Sequence, residues 1–75
     1  MEHECKIMLS TDNVKEFVRS AEQCDFDVNV FYNRFVIDAK SILGVLSLDL
    51  SRVLTVQYAG LNPMFEKTLR KFCVA

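Results

Sequence analysis

The feature that most restricts this chain is a switch of hydrophobic period. Val14, Phe17, Val18 and Ala21 recur at i, i+3, i+4 and i+7, with Lys15, Glu16, Arg19, Glu22 and Gln23 falling beside them. That is a helix with one apolar stripe. From Asp25 to Asp38 the period becomes that of a strand. Val28, Val30 and Tyr32 alternate with Asp27, Asn29 and Phe31, and Arg34 to Asp38 is a second β-branched and aromatic run. Asn33-Arg34 is left as a two-residue hairpin connection. Asn tolerates a positive φ, although Arg at the second position is less usual than Gly. Elements with one apolar face need a common core, and 75 residues supply one domain, residues 1–75.

The other segments extend this pattern. Lys6 to Leu9, with Cys5, reads as a first strand. Ser10, Thr11, Asp12 and Asn13 are all good N-caps, and Asn13 with Glu16 fits a capping box. Val53 to Ala59 is a fourth strand-like run, ended by Gly60. Asn62 can cap a last helix with Pro63 at its first position, and Phe65, Leu69 and Phe72 give its apolar stripe. Lys67, Arg70 and Lys71 lie toward its C-terminal end, where cations complement the helix dipole. The order is β-α-β-β-α-β-α. It implies an α+β fold, one antiparallel sheet with helices packed on one face.

Ser41 to Leu50 is different, because apolar residues occupy positions 42, 43, 45, 46, 48 and 50. If residues 42 to 47 form a short helix, they run around most of its circumference. Ile42, Leu43 and Leu46 cannot all face inward together with Val45 and Leu48. Part of the segment should stay exposed as an apolar patch, a mark of partner surfaces, or a neighbouring loop or helix covers it. Periodicity alone does not choose.

Charge and cysteine usage narrow the function. Nine basic residues against ten acidic ones give no electrostatic case for nucleic acid. No apolar run approaches the roughly 18 residues of a membrane span. The polar, acidic start argues against a secretory signal, so a cytoplasmic location is expected. Cys5, Cys24 and Cys73 are odd in number and widely spaced, which favours three reduced, small hydrophobes. A metal site from His3, Cys5 and a distant cysteine would lack any recognised spacing, so neither metal nor cofactor is expected. His3 is the one histidine, placed in what should be a fraying terminus.

At Asp38-Ala39-Lys40-Ser41-Ile42-Leu43-Gly44-Val45-Leu46-Ser47-Leu48 the chain resembles the histidine-containing phosphocarrier protein, HPr, of the bacterial sugar phosphotransferase system. That family carries a Lys-Ser-Ile-Met-Gly-Val-Met-Ser-Leu-like stretch after its second and third strands. Asp27 to Asn33 is similar to the same family's hairpin, and the helix with Phe17, Val18 and Ala21 is also similar. The likeness spans roughly residues 5 to 73 and implies the HPr-like open-faced sandwich, a four-stranded antiparallel sheet with three helices on one face.

The resemblance also implies sites. The family phosphorylates the serine of its Lys-Ser-Ile stretch as a regulatory mark, which points to Ser41. Ile42, Leu43 and Leu46 match its partner-docking patch, flanked by Lys40 and Ser47. The implied partners are proteins such as a kinase or a transcriptional regulator, and self-association is open. By residue chemistry alone, Ser41 reads first as an N-cap, a role that needs no kinase.

One departure governs the rest. HPr carries its phosphohistidine in a Gly-x-His-Ala-Arg-Pro-Ala stretch at the start of the first helix. Here the stretch is Leu9-Ser10-Thr11-Asp12-Asn13-Val14, with Ser10 near the histidine position and Asp12 near the arginine. Phosphotransfer needs an imidazole nitrogen as nucleophile, with donors around the phosphoryl oxygens. Ser10 would form a stable ester, and Asp12 would repel phosphate. The connection into this helix and the turn between Leu48 and Leu54 are also short for the family. A regulatory or docking module without phosphocarrier activity is expected; the alternatives are a carrier with a relocated acceptor, or a scaffold that keeps only the fold.

Overall fold

The computed structural model describes residues 2–74. The elements follow the expected order: β1 (His3–Ile7), α1 (Val14–Glu22), β2 (Val28–Tyr32), β3 (Phe35–Asp38), α2 (Ile42–Leu46), β4 (Leu54–Tyr58) and α3 (Pro63–Arg70). The four strands form one antiparallel sheet in the order β1-β4-β2-β3. The hairpin turns where expected, with Asn33 at φ 53°. That left-handed conformation is tolerable for Asn because its short polar side chain relieves the steric cost.

Alternation assigns the two faces of the sheet. Ile7, Val28, Val30, Leu54, Val56 and Tyr58 are buried, and cross-strand register aligns them in rows such as Cys5–Val56–Val30–Ile37. Val14, Phe17, Val18 and Ala21 of α1 cover this face together with Phe65 and Leu69 of α3. The opposite face carries polar pairs, with Gln57 Nε2 donating to Glu4 Oε1 at 2.7 Å and Lys6 Nζ to Thr55 Oγ1 at 2.8 Å. Val28 and Val30 could not exchange faces with Asn29 without emptying the core, which fixes the register.

Four expectations change. The first strand runs His3–Ile7 rather than Lys6 to Leu9, because β4 opposes it over Leu54–Tyr58. His3 therefore does not fray: it pairs with Tyr58, and the two ring centroids lie 4.9 Å apart. Asn13 does not form a capping box. Its side chain makes no cap bond to α1 and its Oδ1 instead accepts from the N–H of Ser10 at 2.7 Å. Helical bonding already begins one turn earlier, with Val14 N–H donating to the Ser10 carbonyl at 3.0 Å, so the loop consumes the cap.

The fourth change concerns the cysteines. Residues after α3 return along the outer edge of β1, with Met8 N–H donating to the Phe72 carbonyl at 3.1 Å and Val74 N–H to the Lys6 carbonyl at 3.0 Å. This places Cys73 against Ile7, and Cys73 is joined to Cys5 as a disulfide with Cα atoms 6.5 Å apart. Only Cys24 is a free, buried thiol. A sequence separation of 68 conceals a pairing made by the sheet edge.

Gly60 shows how closely the far end of the sheet is filled. A Cβ there would run into the Phe26 ring, and that ring in turn stacks on Tyr58 at 6.0 Å. Gly60→Ala is expected to cost about 1–3 kcal/mol by overpacking. In a Phe26→Ala background the same change should cost much less, because the obstructing ring is gone. Urea unfolding of the four variants of this cycle measures both effects; equal costs in the two backgrounds would rule out the ring contact as the cause.

Candidate functional site

The resembling stretch folds as a sharp passage from β3 into α2. Ala39 is fully buried and its N–H donates to the Val28 carbonyl at 2.8 Å. The Asp38 carboxylate accepts from the Lys40 N–H at 2.9 Å, and the Asp38 carbonyl accepts from the Ser41 N–H at 3.0 Å. Ser41 is extended, at φ −101° and ψ 105°, and caps α2 by accepting from the Gly44 N–H at 3.1 Å. Ser47 closes the other end, its hydroxyl donating to the Gly44 carbonyl at 2.6 Å.

Gly44 is a matter of clearance. A Cβ there would lie 2.8 Å from Ile37 Cγ2 and 3.1 Å from Ser41 Oγ. A larger residue would push α2 off β3 and crowd the Ser41 hydroxyl. Glycine thus keeps α2 against the sheet edge and Ser41 free at the surface.

The side chains of α2 divide as a five-residue helix must. Val45 is fully buried, whereas Leu43 is 78% exposed and Leu46 is 43% exposed. Ile42, expected with them in the open, is half-buried and leans on α1. With Lys15, Val18, Arg19 and Glu22 it lines a shallow cavity of about 190 Å³. The patch is therefore two exposed leucines beside a cleft with an apolar floor and a charged rim. Sequence reading missed Lys15 and Arg19 here; they face the cleft one helical turn apart, a spacing that becomes informative once α2 is known to lie beside α1.

Lys40 behaves less simply than its position beside Ser41 suggests. Its Nζ donates to the Cys24 carbonyl at 2.9 Å, tying the passage to the end of α1. The Cys24 thiol is pushed up by burial, with Lys40 acting in the opposite direction. Lys40 is thus a brace between α1 and α2.

The turn before α1 is a second, separate place. Ser10 and Asp12 are exposed, and Ser10 is bound through its backbone to Asn13. The one charged residue of Leu9 to Asn13 is the anion Asp12. His3 sits at the opposite end of β1, about 13 Å of strand from Ile7. Among the described residues no cluster of three or more His, Cys, Asp and Glu side chains could hold a metal ion. No described helix is long and apolar enough to cross a membrane.

Solved structures share this architecture. HPr-C-His from Thermoanaerobacter tengcongensis superposes with a TM-score of 0.75 at 24% identity, covering 92% of this chain and 88% of that one. The phosphocarrier protein HPr from Bacillus anthracis gives 0.70 at 19% identity, covering 93% of each chain. Crh of Bacillus subtilis, described as a catabolite repression protein forming a swapped dimer, gives 0.64 at 23% identity and covers 100% of this chain and 94% of its own. No protein-family model matches the chain, and no curated protein matches it in sequence. The fold is that of HPr.

The cap at Ser41 makes a direct prediction. Ser41→Ala should cost about 1 kcal/mol, whereas Ser41→Asp should be close to neutral because a carboxylate accepts the same first-turn N–H. Urea denaturation checks both; equal losses would show that the Gly44 N–H does not depend on this side chain.

Proposed function

We propose that this chain is a non-catalytic regulatory or docking module of the HPr kind, acting through Ser41 and the leucines that follow it. The observation that carries this reading is an exposed serine hydroxyl at the entry to α2, beside Leu43 and Leu46, which the fold leaves in solvent. A kinase would transfer the γ-phosphoryl group of ATP to Ser41 Oγ, releasing ADP and the hydroxyl proton. The product adds about −1.5 to −2 charges next to an apolar patch. A partner reading both would combine apolar burial at Leu43 and Leu46 with cationic contacts to the phosphate. Lys40 could contribute only by releasing the Cys24 carbonyl, so most of that positive charge belongs to the partner. Ile42 and Ser47 frame the same surface. A protein kinase or a transcriptional regulator in the cytoplasm fits this chemistry.

The carrier reaction has much weaker support. An imidazole must accept the phosphoryl group and pass it on, and donors must surround the oxygens. Ser10 offers an alcohol, and Asp12 adds repulsion. His3 rests against Tyr58 in β1, at the far end of the strand from that turn.

Two measurements test this reading. Incubation with an HPr kinase and ATP should label the wild type and leave Ser41→Ala unlabelled. Equal labelling of both, or of neither, would remove the phosphoregulated role. Exposure to phosphoenolpyruvate and Enzyme I should place no acid-labile phosphate on this chain while a competent HPr is labelled in parallel. Labelling of this chain would instead establish a relocated acceptor.

A further inference from the structure

The segment that follows α3 meets β1 along its outer edge, away from the proposed docking surface. Residues 72 to 74 run antiparallel to β1, held by the Met8 to Phe72 and Val74 to Lys6 backbone bonds. Phe72 is buried against Phe17 and Cys73 packs against the edge of the core, whereas Val74 is 48% exposed. Cys73 faces Ile7 across this edge, and Cys5 lies diagonally on the same face. Their Cα separation of 6.5 Å falls within the spacing of ordinary disulfides. Cys5 and Cys73 are half-buried at the edge of the core, whereas Cys24 is buried, with its thiol pushed up by that burial.

We propose that Cys5 and Cys73 form a reversible thiol–disulfide site that clasps the C-terminal segment to the edge of β1, with a low-molecular-weight disulfide such as oxidised glutathione as its co-reactant. One cysteine thiolate attacks a sulfur of glutathione disulfide, forming a mixed disulfide and expelling one glutathione thiolate. The other cysteine thiolate then attacks the protein sulfur of that mixed disulfide and expels the second. The protein loses two protons and two electrons, and glutathione disulfide gains them as two thiols. Closed, the link joins residues 68 apart in sequence and removes much of the freedom of the unfolded chain. Open, the short segment is held by its backbone bonds and Phe72, and its departure exposes a row of unpaired strand groups.

The test equilibrates the full chain in glutathione buffers from reducing to oxidising. Mass tagging in denaturant should count three thiols in the reduced form and one in the oxidised form, with peptide mapping linking Cys5 to Cys73. Amide exchange at Val74 should slow by roughly tenfold or more on oxidation, and Tm should rise by roughly 10 °C or more. Cys24→Ser should keep both responses, and Cys73→Ser should behave as the reduced wild type in every buffer. Separate glutathione caps on Cys5 and Cys73, a linkage involving Cys24, or equal Val74 exchange in the two redox states would each overturn the proposal.

Discussion

Val28, Val30, Leu54 and Val56 form an apolar floor on one face of the sheet, and α1 and α3 cover it. Two aromatic contacts hold that cover in place. Phe17 of α1 meets Phe72 edge-on at 6.4 Å, and Phe65 of α3 meets Tyr58 edge-on at 5.2 Å. Burying each such ring contributes about 1.5–3 kcal/mol, and the edge-to-face geometry about 0.5–1.5 kcal/mol more. The exposed Lys71–Glu16 ion pair at 2.6 Å bridges the same helices and contributes little by comparison. Once α1 and α3 occupy the floor, α2 is left at the β3 edge, where Val45 alone is fully buried. The wet leucines at 43 and 46 thus follow from geometry: a helix of this length at an edge cannot hide an apolar circumference.

How much of this was legible depended on whether a signal was local. Asn33 in its left-handed turn and the Asn62–Pro63 helix start, with Asn62 Oδ1 accepting from the Phe65 N–H at 3.0 Å, can be read from neighbouring residues. So can the apolar stripe of α1 and the alternation of β2. Ser10 to Asn13 could not be resolved in the same way, because four adjacent good caps compete and the winner depends on how the loop closes. The limits of β1 were set by its partner β4, and the Cys5–Cys73 contact by a return path that no local pattern encodes.

The candidate site was half legible for the same reason. The apolar content of residues 42 to 48 shows that something must remain exposed, but which residues do so depends on how α2 packs at Gly44 and Ile37. With no side chain at Gly44, α2 lies close to Ile37, with Val45 buried and Leu43 exposed. Ile42 then falls toward α1. The engagement of Lys40 with Cys24 depends equally on the distance between two elements that are far apart in sequence.

The two places where this fold presents hydroxyl groups at a helix entry are built independently. The turn before α1 is organised by Asn13 and Ser10, through the bond between them and the backbone bonds that Val14 and Phe17 of α1 make to them. The passage into α2 is organised by Asp38, Gly44 and Ile37. Neither set borrows a residue from the other. The stripe Val14, Phe17 and Val18 anchors α1, and α1 supplies the floor beneath Ile42 without using the side chains of Ser10 or Asp12. A chain can in this way lose the chemistry needed to carry a phosphoryl group and retain an exposed serine beside an apolar patch. The contacts that shape the α2 entry, at Asp38, Gly44 and Ile37, are thus separate from those of the α1 entry.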